Sequence, residues 1–130
     1  MPQFEKHFTI EEARTLIPEL RARFQQIHVL LERIRTTQEK EGRRLNIARG
    51  NGKGPIVGGS GSDIEEVQEI IGSIALLGVQ IKDLQRGLID FPHFLNGNPD
   101  AEVFLCFELS DETVEYWHGI DAGYAGRTRL

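Results

Sequence analysis

Apolar side chains in the first third of the chain recur at alternating intervals of four and three residues. The spacing puts one apolar seam along an α-helix and is typical of a helix that packs lengthwise on a partner helix. The seam consists of Ala13, Ile17, Leu20, Phe24, Ile27, Leu31 and Ile34. Thr9 and Glu12 stand three residues apart, as in a capping box at a helix start. We therefore predict a first helical arm over residues 8–48, kinked near Pro18 because proline lacks a backbone N–H.

A second helical pattern follows a glycine-rich segment. Six of the residues 50–62 are glycine, which predicts a flexible loop over residues 49–62. The residues Ser62–Glu65 resemble another capping box, and apolar side chains then follow at helical spacing as far as Leu84. These features predict a second helical arm over residues 63–86 that stops at Gly87. We expect the two arms to form a long, antiparallel, coiled-coil-like hairpin, which leaves one apolar stripe of the second arm uncovered.

The spacing of apolar residues changes from helical to alternating after Gly87. Three short runs of this kind, within residues 88–91, 103–109 and 114–118, predict three β-strands joined as an antiparallel meander. The meander and a C-terminal tail occupy residues 87–130. The whole chain, residues 1–130, is thus expected to be one domain of the α+β class.

The expected strand register separates the cysteine from the nearest histidine. Matching apolar with apolar positions puts Val103, Leu105 and Phe107 on the face that holds His118, and Cys106 on the other face. A Cys106–His118 dyad or shared metal site is then disfavoured. We predict no metal and no cofactor, and we lean against an enzyme.

Four polar residues near the end of the chain form a candidate ligand site. Asp90, His118 and Asp121 are of types that bind metals, and Arg127 can form a paired contact with a phosphate or carboxylate. None of them stands at a diagnostic spacing. The alternative is structural: Asp121 or Asp90 pairs with Arg127 to fasten the tail, and Tyr124 packs beneath it.

Charge is distributed unevenly along the chain. The net charge is −5, whereas residues 1–61 sum to +4 and residues 62–130 to −9. The acidic total argues against general nucleic-acid binding. A basic group at the hairpin tip, Arg43, Arg44, Arg49 and Lys53, nevertheless gives anion or nucleic-acid binding as an alternative function. No apolar run is long enough to cross a membrane and no secretory signal is visible, so we expect a cytoplasmic protein without membrane contact.

Four segments near the end of the chain are the most distinctive in the sequence: Gly87–Pro92, Leu105–Cys106, Tyr116–His118 and Gly123–Arg127. Through these segments the chain resembles an uncharacterised bacterial family, domain of unknown function 2203. The resemblance implies no established activity. Our leading hypothesis is therefore a non-enzymatic interaction module that forms a homodimer or other homo-oligomer through the uncovered helical stripe, with another protein as a further possible partner.

Overall fold

A computed structural model describes the backbone of residues 2–45 and 59–130, and the side chains of residues 2–40 and 62–130. This part contains two α-helices and one antiparallel sheet of five strands, which confirms the α+β class. The helices are α1 (Ile10–Leu45) and α2 (Gly59–Leu76). The strands are β1 (Gln80–Asp83), β2 (Leu88–Phe94), β3 (Glu102–Phe107), β4 (Tyr116–Gly119) and β5 (Thr128–Arg129). Of the predicted loop over residues 49–62, residues 49–58 lie outside the described residues, and residues 59–62 belong to α2.

The chain divides into two compact units. The sheet unit comprises Met1–Phe24 and Ser73–Leu130, and the helical unit comprises Gln25–Gly72. The expectation of a single domain over residues 1–130 stays a prediction. Neither described helix has the length and apolar character needed to span a lipid bilayer.

Helix α1 begins as the capping box predicts. The Glu12 N–H donates to Thr9 Oγ1 at 3.0 Å, and the Thr9 N–H donates to Glu12 Oε1 at 2.9 Å. The helix then continues through Pro18 without interruption, so the predicted kink is not confirmed. Pro18 is exposed, where water can hydrogen-bond the carbonyl that proline leaves without a helical donor.

In the helical unit, polar side chains link α1 to α2. Arg33 donates to both carboxylate oxygens of Asp63, at 2.7 and 3.2 Å. Gln26 donates to Glu66 at 2.8 Å. Arg33 follows Gln26 on α1, whereas its partner Asp63 precedes Glu66 on α2. The two helical segments are therefore antiparallel within this unit. Its buried apolar side chains are Ile27, Leu30 and Val67.

Helix α2 differs from the predicted second arm at both ends. It includes Ser62 rather than starting after it, and it ends at Leu76 instead of near residue 86. Gly78 stops the helix with a φ of +95°, and its N–H donates to the Ala75 carbonyl at 2.9 Å. Ile81 happens to continue the helical spacing, but it lies in β1 opposite Ile89 of β2. Pairing with β2 therefore overrides a local pattern that fits either structure.

The sheet has the strand order β1-β2-β3-β4-β5, with all neighbours antiparallel. The predicted three-stranded meander lacks the two outer strands, β1 and β5. One face, which we call the helix face, carries Phe91 and Phe107. The ring of Phe8 meets that of Phe91 edge-on at 5.2 Å, and the Arg21 guanidinium of α1 lies 5.4 Å from the Phe107 ring centroid. We call the opposite face the site face.

The register between β3 and β4 is shifted by one residue from the prediction. Phe104 pairs with His118, and Cys106 pairs with Tyr116. Because directly paired residues share a face, Cys106 and His118 lie on the same face, and the prediction of opposite faces is wrong. The apolar pattern could not decide the register, since Val103–Phe107 are buried on both faces.

Candidate functional site

The site face carries one row of paired residues that crosses all five strands. The row runs Gln80, Asp90, Cys106, Tyr116 and Arg129. Asp90 and Cys106 are therefore cross-strand neighbours. His118 lies two residues beyond Tyr116 on β4, and its side chain returns to the same face because side chains alternate along a strand.

Asp90, Cys106 and His118 form a compact group that we call the Asp90 cluster. The potential ligand atoms of these three side chains, one from each, lie within 4.8 Å of one another. The residues are 2%, 0% and 2% exposed. Asp90 Oδ1 and His118 Nε2 are 3.0 Å apart. The cluster thus joins an oxygen, a sulfur and a nitrogen atom inside the protein.

The hydrogen bonds of His118 determine where its ring carries a proton. Nδ1 lies 2.8 Å from the Gly119 carbonyl oxygen, which can only accept, so Nδ1 is the donor. One proton then lies between Nε2 and Asp90, which gives either an imidazolium with a carboxylate or a neutral imidazole with a carboxylic acid. Burial is the main effect on the pKa of Asp90 and raises it, against the opposing influence of His118 and Lys82.

Cys106 is not an activated nucleophile. Burial raises the pKa of its thiol to about 11, and the nearby Asp90 carboxylate also raises it, although Arg127 opposes this. Nucleophilic cysteines require the opposite, a lowered pKa and access to substrate. The cluster therefore lacks the properties of a Cys–His catalytic dyad.

A β-bulge brings a lysine to the edge of the cluster. Ile81 pairs with Ile89 whereas Asp83 pairs with Leu88, so Lys82 is the extra residue of β1. Its Nζ lies 3.8 Å from Asp90 Oδ2 and 4.8 Å from the centroid of the Phe104 ring. The bulge thus supplies a positive charge beside the buried carboxylate.

Arg127 reaches the cluster from the C-terminal tail. It donates to both carboxylate oxygens of Asp111, at 2.9 and 3.1 Å, and its NH1 lies 3.8 Å from Cys106 Sγ. The guanidinium also stacks on Tyr116 and Tyr124, 3.9 and 4.5 Å from the ring centroids. The alternative role, in which Arg127 fastens the tail, fits these contacts, but its partner is Asp111 rather than Asp90 or Asp121.

The N-terminal segment lies against the same face. The Phe4 ring packs at 5.2 Å from that of Phe104. The N–H groups of Gln3 and Phe4 donate to the Glu102 carboxylate at 2.7 and 3.1 Å, and His7 Nε2 lies 2.7 Å from it. Glu102 thus holds the segment beside the aromatic neighbour of the cluster.

The structure brings together only part of the predicted ligand site. Asp90 and His118 are hydrogen-bonded, and Arg127 lies next to Cys106. Asp121 is exposed in the turn after β4 and is not part of the cluster. Cys106 is the member that the sequence analysis missed, because the wrong register placed it on the other face.

The predicted anion site is only partly within the described residues. Arg43 and Arg44 belong to α1 by their backbone, but their side chains are not among those described, and Arg49 and Lys53 lie outside the described residues altogether. Elsewhere in the basic segment, Arg33 pairs with Asp63, and Arg35 pairs with Glu32 and Glu39. Anion binding at this end of α1 stays a prediction.

Comparison with protein families gives a match over nearly the whole chain. Residues 6–130 match the family described as "Uncharacterized conserved protein (DUF2203)". The chain belongs to this family. The match covers the whole sheet of this DUF2203 protein and both described helices. No curated protein and no solved structure matches the chain. The function of this DUF2203 protein therefore has to be argued from its own residues.

Proposed function

We propose that this protein is a binding module whose sheet is held together by a structural metal ion, bound by Asp90, Cys106 and His118. The observation that carries the proposal is the approach of three different ligand atoms to within 4.8 Å in a site that is almost fully buried. Sulfur, imidazole nitrogen and carboxylate oxygen are the ligand types of Zn²⁺.

The geometry requires only small adjustments to hold such an ion. Zinc bonds of about 2.0–2.3 Å place tetrahedral ligand atoms roughly 3.3–3.8 Å apart. The separations in the cluster begin at 3.0 Å, between Asp90 and His118, and extend to no more than 4.8 Å. Side-chain shifts of about 1 Å would bring the three atoms onto one ion.

The charge balance also supports a divalent cation. An ion with two positive charges, a Cys106 thiolate, an Asp90 carboxylate and a neutral His118 sum to zero. Binding would therefore add no net charge beside Lys82 and Arg127. It would also replace the proton shared by Asp90 and His118, so both buried groups would keep a partner.

Burial favours a structural over a catalytic metal, although the three protein ligands would leave a fourth coordination position for a water molecule. A catalytic zinc keeps a position open to water or substrate. All three proposed ligands are at most 2% exposed. The ion would link β2, β3 and β4 by one bond to each strand, and metal-binding free energy of this kind contributes directly to folding.

Cobalt titration of the untagged, metal-free protein tests the proposal. We expect one equivalent of Co²⁺ to bind with a thiolate-to-cobalt charge-transfer absorption band, and Zn²⁺ to displace it. Cys106→Ser should abolish the band. His93→Gln is the matched control, because His93 is another buried histidine that lies outside the cluster. A wild-type protein that binds no stoichiometric cobalt, or that shows no charge-transfer band, would overturn the proposal even if the variants fail to fold.

Self-association is a second candidate and has one observation in its favour. Leu76, at the end of α2, is 90% exposed, which is unusual for a large apolar side chain. A homo-oligomer that covers this residue remains our prediction, as does a cytoplasmic location. Light scattering at micromolar concentration should show a mass above one chain, and Leu76→Lys should lower it. A monomer at that concentration would contradict the prediction.

A further inference from the structure

An open cleft of about 520 Å³ lies in the sheet unit, between the start of α1 and the helix face of the sheet. Its lining includes Ile10 and Glu11 at the start of α1, His93 on β2, Leu95 directly after β2, and Trp117 on β4. The volume falls within the range of about 300–1,000 Å³ found for small-molecule sites. The cleft and the Asp90 cluster use opposite faces of the sheet.

His93 offers the cleft a hydrogen-bond acceptor. The residue is only 8% exposed, and its Nδ1 lies 2.7 Å from the Phe8 carbonyl oxygen. Because that oxygen can only accept, Nδ1 carries a hydrogen, and Nε2 is an acceptor whenever the ring is neutral. Nε2 has no hydrogen-bond partner among the described residues. A buried polar atom in this position is normally satisfied by a ligand or by water.

The charged and aromatic groups of the cleft favour a cation over an anion. Glu11 brings a carboxylate that pairs with no described side chain, and the described lining includes no lysine or arginine. Two of the N–H groups at the start of α1, those of Thr9 and Glu12, are already occupied by each other's side chains in the capping box, which leaves fewer donors for an anion. Trp117 adds an aromatic side chain, which attracts cations and stacks on planar groups.

We propose that this cleft binds a small planar cation with N–H donors, such as an amidine, a guanidinium compound or a protonated amino-heterocycle. The ring or planar group would stack on Trp117, one N–H would donate to His93 Nε2, and the charge would pair with Glu11. The inference does not rest on a metal at Asp90, Cys106 and His118. It identifies what the binding module binds, from residues on the other face of its sheet.

Fluorescence titration with benzamidine tests the proposal, because Trp117 is the single tryptophan of the chain. Benzamidine is a planar cation with N–H donors, and benzoate is an anion of nearly the same shape. We expect a saturable change in Trp117 emission with benzamidine and none with benzoate. Glu11→Gln should weaken benzamidine binding about two- to fivefold, since it removes one ion pair from an exposed carboxylate. His93→Asn should also weaken it, because the asparagine amide can still donate to the Phe8 carbonyl but is too short to place an acceptor where Nε2 lies.

Glu69→Gln is the matched control for Glu11→Gln, because both glutamates are exposed. Glu69 is exposed on α2 and does not line the cleft, so its substitution should leave the affinity unchanged. Circular dichroism should show native folding for each variant. The proposal fails if benzamidine gives no saturable change in emission, if benzoate binds as tightly, or if Glu11→Gln binds benzamidine like wild type. None of these results depends on whether cobalt binds at Cys106.

Discussion

Asp90 and His118 share a buried hydrogen bond of 3.0 Å across 28 positions of the sequence. Asp90 belongs to β2 and His118 to β4, so the bond passes over β3, the strand that lies between them. It lies beside Cys106, whose side chain is on the same face. One side-chain contact thus connects strands that share no backbone hydrogen bonds, and it does so in the interior of the protein.

The Cys106 thiol should react very slowly in the folded, metal-free protein. Its pKa of about 11, against an ordinary value of 9.0, reduces the thiolate fraction at neutral pH about a hundredfold. Complete burial slows reagent access further. Reaction with a disulfide reagent, followed by absorbance, should take place at the rate of protein opening. The same protein in denaturant is the control and should react at the rate of a simple thiol. Equal rates in both conditions would contradict the burial of Cys106.

Gly87→Ala should destabilise the protein, whereas Gly72→Ala should not. Gly87 has a φ of +62°, and an added Cβ would lie 2.3 Å from Leu109 Cγ. The backbone conformation and the clash together should cost about 2–5 kcal/mol. Gly72 lies in α2 with nothing within 4 Å of an added Cβ, so alanine there should stabilise by up to about 1 kcal/mol. Urea denaturation measures both.

The Gly87→Ala variant also tests where this glycine lies. The sequence predicts that Gly87 ends a helix, whereas in the structure it lies in the turn between β1 and β2. If Gly87 ended a helix, as the sequence predicts, Leu109 would not be its neighbour. If Gly87→Ala lowered the free energy of unfolding by less than the same substitution does at the end of an ordinary helix, this would contradict the clash with Leu109 in the β1–β2 turn.

The sequence predicts local features of this protein better than its long-range pairings. The capping box at Thr9 and the buried positions of Phe24 and Ile27 follow from spacing alone, and the structure confirms them. Strand β1 could not be predicted, since Ile81 fits a helical stripe and a strand equally well. The site was missed for a related reason: Phe104 and Leu105 are both buried, so neither face of β3 is marked as the outer one.

Glu102 should lose its stabilising effect as the pH falls below about its ordinary pKa of 4.5. Burial alone would raise the pKa of this carboxyl, but hydrogen bonds from Gln3, His7 and Phe4 outweigh burial and lower it. A lowered pKa means that the folded state binds protons less readily than the unfolded state. The stabilisation is therefore fully present above pH 4.5 and is lost as the pH falls through the folded-state value.

Glu102→Gln tests this effect. The carboxylate is 11% exposed and accepts three hydrogen bonds, so we expect a loss of about 1–3 kcal/mol at neutral pH. The difference from wild type should shrink on acidification. Glu5→Gln is the control, because Glu5 is exposed in the same segment and should change the stability little at either pH. A difference that stays constant down to strongly acidic pH would show that the charge of Glu102 is not responsible.

Arg127→Lys should be destabilising although it conserves the charge. Lysine lacks the two parallel N–H groups with which Arg127 donates to the two oxygens of Asp111, and it lacks the planar group that stacks on Tyr116 and Tyr124. Both side chains of the Arg127–Asp111 pair are largely buried, so we expect a loss of about 1–3 kcal/mol in urea denaturation. Arg129→Lys is the matched control two residues away. Arg129 pairs with Glu115, but its side chain is mostly exposed, so this variant should stay within about 0.5 kcal/mol of wild type. Equal effects of the two substitutions would mean that charge alone, rather than the fork and stacking of Arg127, fastens the tail to the sheet.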